Sequence, residues 1–302
     1  MQTEFSSLYD LFAAIPDETA AIKYFAAIRW ANGEFCPYCG HDKIYPFKDG
    51  KNWKCAQCRE RFSIRVGTIF EDSKIPIRKW LTAIWFITSH RKGIASTQLA
   101  KDIDVQQRTA WFMLHRLRHA ARTRSFNRPL RGIVEVDEGY FGGKEANKHR
   151  NKRTGKSGTS GKVLAIGMVE RDGELRLKTI KSTGDMKREI KANVQRGAKL
   201  MTDEHPVYIG LEWLYDRATV NHSKGEYGRG QAHTNTIEGV WALLKRQIIG
   251  IHHFVSAKHL HRYFAEATWR YNRRDVPDAL RIGDFLTRVD GRLRYAELIA
   301  KA

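Results

Sequence analysis

The chain has 302 residues, 42% hydrophobic and 11% aromatic, which excludes global disorder and leaves room for two or three packed domains. Fifty-three Lys and Arg against thirty-three acids give a formal charge of +20, spread along the chain and not gathered in one tail. A field of that sign and size draws polyanions, nucleic acid foremost, and the competing reading is a merely soluble basic protein.

The start, "MQTEFSSLYD", lacks the basic residues and apolar core of a secretion signal, and the most apolar helical stretch, "WLTAIWFITSH" at 80–90, is too short to span a bilayer. Four cysteines in a chain this long do not make a disulfide scaffold. The expectation is a cytoplasmic protein with no membrane partner.

Residues 1–34 read as a helical lead-in: Leu8, Leu11, Phe12 and Ile15, then Ile22, Phe25 and Ile28, keep helical spacing on either side of Pro16. Residues 35–75 hold every cysteine. "CPYCG" and "CAQC" place Cys36, Cys39, Cys55 and Cys58 in a C-x2-C-x15-C-x2-C pattern, in which two tight turns aim four thiolates at one tetrahedral zinc and Gly40 permits the bend. Redox pairs or unrelated buried thiols would have to explain why all four fall in this one pattern. Tyr45, Phe47 and Trp53 between the pairs would form short strands whose small core depends on the metal.

Residues 76–123 are helical in period. Within them, "IASTQLAKDIDVQQRTAWFMLHRLRHA" reads as a helix-turn-helix-like DNA-binding segment: Ser96 as cap, Leu99, Ala100 and Ile103 on one face, a break at Asp102–Val105, then Ala110, Met113, Leu114 and Leu117. Gln106, Gln107 and Arg108 open the second helix, where side chains reach base edges, and Arg116, Arg118 and Arg122 would meet phosphates. The pattern is loose, and two helices that merely pack beside the ribbon would read the same way. "RSFNRPLRG" at 124–132 is a basic linker.

From 133 the pattern becomes strand, basic loop, two strands, helix, strand, helix, strand, then two long helices. "DG" at 172–173 marks a hairpin, and the alternation that follows predicts a mixed α/β sheet. The loop at 144–162, rich in Lys, Arg, Gly and Ser, is a solvated connection or a phosphate-contacting arm.

Three acids stand out in this half. "GIVEVDEGYFGG" ends an apolar strand on Asp137, with Glu138 beside it; strand alternation predicts that Glu138 faces away from the site of Asp137. "KLMTDEHPVYIG" puts Asp203 after another short apolar run, where, three residues before Pro206, it could equally cap a following helix. "HTNTIEGVWALLKRQ" carries Glu238 and Lys245 two helical turns apart, beside a buried stripe of Ile237, Trp241, Leu244 and Ile248; Asn235 with Glu238 would also fit a capping box. Together the three acids fit two divalent metals held by shared carboxylates, with Lys245 near a phosphate. Hard oxygen donors favour Mg²⁺ or Mn²⁺ there.

"VDEGYFGG", "MTDEHPVY" and "HTNTIEGVWALLKRQIIGIHHFVSAKHLHRYFAEATWRYNRR", with the "CPYCG…WKCAQC" ribbon and "GTIFEDSKIPIRKW", resemble the DDE insertion-sequence transposases, in particular the bacterial group with an ISXO-two-like catalytic part and an N-terminal zinc ribbon. The resemblance runs over roughly 15–285 and implies a multidomain α/β chain. A ribonuclease-H-like mixed-sheet catalytic domain at 133–285 would follow the ribbon and the helical segment, with 286–302 as a C-terminal tail. It implies metal-dependent cutting at transposon ends and strand transfer into double-stranded target DNA by at least a dimer. Carried over by motif, the family acids fall on Asp137 and Asp203, and the third on Glu238 or Asn235; the acid-to-lysine spacing of Glu238 and Lys245 favours Glu238. "RYNRR", with Arg270, Asn272 and Arg273, matches the family's closing motif. The rival functions are a zinc-dependent DNA-binding regulator without catalysis and a nuclease that cuts without joining.

Overall fold

A computed structural model describes residues 4–122, 128–143, 145–147, 149–153, 158–220 and 233–300. The chain divides into two compact units. Residues 1–122 and 273–302 form the first, and 123–272 the second.

In the first unit, helices α1 (Leu8–Ala14) and α2 (Glu18–Arg29) lie on either side of Pro16. Ser7 and Asp10 close a capping box on α1, and the Asp17 side chain caps α2 by accepting from Ala20 N–H at 2.8 Å. Strands β1 (Ile44–Pro46), β2 (Asn52–Cys55) and β3 (Arg61–Ser63) form an antiparallel ribbon in which Ile44, Trp53 and Phe62 are buried. Helix α3 (Ile77–Ser89) is almost wholly buried, and α4 (Ser96–Asp102) and α5 (Gln107–Ala120) follow. The turn between α4 and α5 passes through Asp104 at φ +49, and Val105 N–H donates to the Ala100 carbonyl at 2.9 Å, so two helices meet at a tight turn. Ser96 is not the cap of α4. Its hydroxyl instead accepts from Gln107 Nε2 at 2.9 Å.

The last residues are not a separate tail. Helices α9 (Asp278–Leu286) and α10 (Tyr295–Ile299) belong to this first unit, where Ile69 N–H donates to the Val289 carbonyl at 2.8 Å and Gly291 N–H to that of Gly67 at 2.9 Å. Phe285, Leu286, Val289 and Leu293 are buried, and that burial holds the return.

The second unit is a five-stranded sheet with the order β6–β5–β4–β7–β8. Strands β4 (Ile133–Phe141), β5 (Val163–Glu170) and β6 (Leu175–Ile180) run antiparallel in turn; β7 (Lys199–Thr202) and β8 (Asp216–Thr219) add to β4 in parallel. The β5–β6 hairpin turns at the expected Asp-Gly, with Asp172 at φ +56. This order and these directions are those of the ribonuclease-H-like sheet that the resemblance implied. The segment after Asp203, expected as a helix, is only a 3-10 turn at Pro206–Tyr208.

The even residues of β4, Val134 and Val136, pack with Met168, Leu200, Tyr208 and helix α6 (Gly184–Asn193) on one face of the sheet. The opposite face packs Phe141, Ala165 and Val169 against α7 (Asn235–Gln247) and α8 (Ala257–Asn272) through Ile237, Trp241, Leu244, Leu260 and Phe264. Strand alternation thus sends the odd residues of β4, Asp137 among them, toward α7.

The closing motif has a structural part in this unit. The Asn272 side-chain amide accepts from Leu175 N–H at 2.8 Å and donates to the Leu175 carbonyl at 3.2 Å, as a further strand would beside β6. Arg270 ties Glu266, through a short contact, to the Gln247 amide, which it meets at 2.9 Å, where α7 passes into the π-turn Ile248–His252.

Candidate active site

In the parallel pairing of β4 with β7, Ile133 matches Lys199 and Glu135 matches Met201. Carried two residues on, the same register puts Asp203 beside Asp137, just past the end of β7. Oxygens of Asp137, Asp203 and Glu138 lie within 4.8 Å of one another. The Asp203 carboxylate accepts from His205 N–H at 3.0 Å, and Thr202 Oγ1 and the Arg217 guanidinium donate to its carbonyl. The 3-10 turn is capped not by Asp203 but by the His205 imidazole, which accepts from Val207 N–H at 3.1 Å. The acid therefore keeps its carboxylate at the strand end.

Glu138 corrects the expectation that it turns away. Alternation does hold: its cross-strand partner is Ile166, on the α6 face, and the Tyr208 hydroxyl donates to it at 2.9 Å from that same side. The faces stop being separate at this point because β4 continues to Phe141 whereas β7 ends at Thr202. Beyond Glu135 the edge of β4 is open, and the longer Glu side chain reaches around it to the two aspartates.

Asp137 and Glu138 both hold their protons more tightly than free carboxyls do. Burial, then the charges of Glu138 and Asp203, push Asp137 up to about 7, and Glu238 adds to the effect; Glu138 is raised chiefly by burial. A site that disfavours its own ionisation in this way is one in which a divalent cation relieves the strain, and its all-oxygen donor set suits Mg²⁺ or Mn²⁺.

Glu238 stands in the first turn of α7, exposed, where its carboxylate accepts from the Thr234 hydroxyl at 2.7 Å. It is close enough to act on Asp137 by charge but is outside the three-carboxylate cluster. The cap of α7 is Thr234, so the Asn235–Glu238 capping box does not form. Asn235 and Lys245 are exposed on α7. Sequence reasoning passed over Glu135, a fully buried carboxylate in the same strand; a charged residue between Val134 and Val136 was the one sign of it.

The cysteine cluster forms as expected. Cys36 and Cys58 Sγ are 3.7 Å apart, Cys39 and Cys55 Sγ are 3.6 Å apart, and one sulfur from each of the four lies within 4.8 Å of the rest. A tetrahedron with Zn–S bonds of about 2.3 Å has edges of about 3.8 Å, so the spacing fits zinc. Gly40, at φ +76, donates its N–H to the Cys36 carbonyl at 2.9 Å, and Gln57 N–H points at Cys55 Sγ at 3.3 Å, closing both turns around the sulfurs.

Of the helix-turn-helix residues, Gln106, Gln107 and Arg108 are exposed at the start of α5. Arg116 is not available to DNA. It is buried, donates to the carbonyls of Ile69 and Glu71 at 2.8 and 2.9 Å, and lies over the Phe112 ring. Arg118 is buried as well. The inner face of α5 is wide because it packs within the first unit, a context that helical period alone does not carry. Among the described residues no helix is long and apolar enough to cross a membrane.

A ribonuclease-H-like sheet with one acid midway along its central strand and another just past the end of the parallel strand beside it, preceded by a four-cysteine ribbon, defines the class. Residues 129–272 match the profile of the ISXO2-like transposase domain, and residues 16–61 that of a transposase zinc-ribbon domain. Between them the two matches span more than half of the chain, which belongs to the ISXO2-like transposase family with an N-terminal zinc ribbon. A relative described as an uncharacterized protein in transposable element ISH50, from Halobacterium salinarum, is 29% identical over 264 residues, 82% of this chain and 88% of the relative. Among solved structures, the Mos1 strand transfer complex is similar at 13% identity and a TM-score of 0.25, over 71% of this chain and 79% of that one. The Mos1 mariner paired end complex with Mn is similar at 12% identity and a TM-score of 0.26, over 70% and 80%. With scores this low, the fold class rests on the strand order and the family match.

Proposed function

We propose that the protein is a DNA transposase that cuts at the ends of its element and transfers the strand to target DNA. The observation that carries this reading is the meeting of Asp137, on the central strand, with Asp203, just past the end of the parallel strand beside it, in a ribonuclease-H-like sheet and a chain of +20 charge. Carboxylates gathered beside a polyanion need a cation between them, and Asp137, Asp203 and Glu238, joined by Glu138, are the residues that would hold it. Mg²⁺ or Mn²⁺, when bound, supplies Lewis-acid stabilisation of charge developing on phosphate oxygens.

The rest falls to the chain's own residues. Asp137 and Asp203 hold their carboxylates at a fixed edge-to-edge spacing set by the β4–β7 register. Glu238 approaches from the N-terminal turn of α7, and Lys245, two turns further along, contacts a DNA phosphate. Gln106, Gln107 and Arg108 present polar groups to base edges, and the ribbon, closed by structural zinc at Cys36, Cys39, Cys55 and Cys58, supports that unit. Double-stranded element ends and target DNA are the partners. Pairing two ends calls for at least a dimer, at work on DNA in the cytoplasm.

The test is incubation of the purified protein with its own element ends and a target plasmid, with Mg²⁺ or Mn²⁺. Nicks that leave 3′-hydroxyls, followed by joined products, are expected. Asp137→Ala, Asp203→Ala and Glu238→Ala should each abolish both steps while leaving DNA binding largely intact. Binding without cutting overturns the reading in favour of a regulator, and cutting without joining in favour of a nuclease.

A further inference from the structure

Glu135 is fully buried, and its two oxygens are used on both sides. Oε2 accepts from the backbone N–H groups of Thr236 at 2.8 Å and Ile237 at 3.0 Å; Oε1 accepts from the Thr236 hydroxyl at 2.9 Å and from Arg171 Nε at 2.7 Å. His233 Nδ1 lies 3.4 Å from Oε1, and the same Arg171 donates to the His233 carbonyl at 2.9 Å. One side chain of β4 thus holds the first turn of α7 from a hundred residues away, and the β5–β6 hairpin arginine braces it.

Helix capping alone does not account for this arrangement. The residue in the capping position, Thr234, makes no side-chain cap bond. Its hydroxyl is turned to the Glu238 carboxylate, at 2.7 Å. The open N–H groups of α7 are met by the strand instead. Glu135 is two residues before Asp137 on the same strand face, and Ile237, which it grips, immediately precedes Glu238. The clamp therefore joins the two backbone positions from which the strand acid and the helix acid depart.

We propose that Glu135 is a positioning residue of the active site: its carboxylate fixes the first turn of α7 against β4 and so sets Glu238 at its working distance from Asp137. This rests on the reading of Asp137 and Glu238 as metal-holding acids. Glu135 touches neither DNA nor the reacting phosphate; it acts through the helix.

The experiment measures Mn²⁺ affinity of the full-length, zinc-loaded protein by electron paramagnetic resonance, with DNA affinity and end cleavage at saturating Mn²⁺ alongside. Removal of a residue that orients metal ligands weakens metal binding about 10- to 100-fold, and a loss in that range is expected for Glu135→Ala with DNA affinity unchanged. Glu135→Gln keeps an oxygen for the two N–H groups and should recover Mn²⁺ affinity to within about three-fold of wild type, a far smaller loss than removal of an orienting group causes. If Glu135→Ala does not fold, Glu135→Asp carries the test: the shorter side chain draws α7 inward and lowers Mn²⁺ affinity in a folded protein. A folded Glu135→Ala, or Glu135→Asp in its place, with wild-type Mn²⁺ affinity overturns the proposal, as does Glu135→Gln falling as far as Glu135→Ala. Wild-type protein without Asp137-dependent Mn²⁺ binding would instead remove the reading of the site, and this inference with it.

Discussion

The indole of Trp241 occupies the space that a β-carbon on Gly167 would need. An added methyl would stand 2.6 Å from Trp241 Cζ2 and equally close to Ile237 Cδ1. Gly167 is the cross-strand partner of Asp137, so the missing side chain lets α7 settle on the sheet directly beside the proposed metal-holding acid. Gly167→Ala should cost about 1–3 kcal/mol by overpacking and displace α7. Thermal unfolding reads the first effect. A parallel loss of Mn²⁺ affinity reads the second, and an unchanged melting temperature would contradict the packing.

The raised carboxyl of Asp137 makes stability depend on pH in a defined direction. The folded chain keeps the proton up to about pH 7, whereas the unfolded chain releases it near 3.8. Fewer protons are bound unfolded across that window, so folding is progressively penalised as pH rises through it and the penalty is complete above it. Its ceiling is on the order of 4 kcal/mol. In zinc-loaded protein without added Mg²⁺ or Mn²⁺, Asp137→Asn should melt higher than wild type at pH 8, and the gap should close toward pH 4. Mn²⁺ added near pH 6 should release protons, visible as a calorimetric heat that changes with the buffer.

Glu138 belongs with the aspartates and is not a spectator on the far face. Glu138→Gln should weaken Mn²⁺ binding about ten-fold, within the range for groups that ligate or orient. A spectator would leave affinity untouched, which calorimetric titration of the two proteins decides.

Arg116 and Arg108 should separate cleanly. Arg116→Met leaves the Ile69 and Glu71 carbonyls without their donor, at a cost of roughly 1–3 kcal/mol in denaturant unfolding. Arg108→Ala, at an exposed position, should leave stability within about 0.5 kcal/mol. With Arg108 as a base-edge contact, the same change should weaken binding to element ends by about 1–3 kcal/mol and relax the base preference at one position, read by binding to a set of substituted ends.

Zinc should matter locally. Cys58→Ser is expected to lose zinc, measured by metal analysis, and to expose the amides of residues 36–64 to hydrogen exchange, because the buried faces of Trp53 and Phe62 are too few to hold the ribbon unaided. Protection in β4 and β5 should be unchanged.

What the residues disclose before folding depends on how local the cause is. The zinc cluster is legible because each pair of cysteines is fixed by its own short turn. Asp137 and Asp203 are legible because each ends its own apolar run. Glu138 was not, since the two faces of β4 merge only where a different strand happens to stop. Arg116 obeys helical period on α5, yet its role is set by carbonyls some forty-five residues earlier. Glu135 is the extreme case: its partners lie 36 and about a hundred positions away, and no window along the chain contains both.

The return of residues 273–300 to the first unit also sets an order of events during synthesis. The second unit is one continuous stretch of about 150 residues and can close as soon as it has left the ribosome. The first unit begins earlier and finishes last. Its strip at Gly67–Ile69 waits for partners at Val289 and Gly291, which at about 5–20 residues per second arrive roughly ten to forty seconds later. During that interval α3 is incompletely covered, and a chain cut short between residues 273 and 289 would carry a finished second unit behind an unfinished first one.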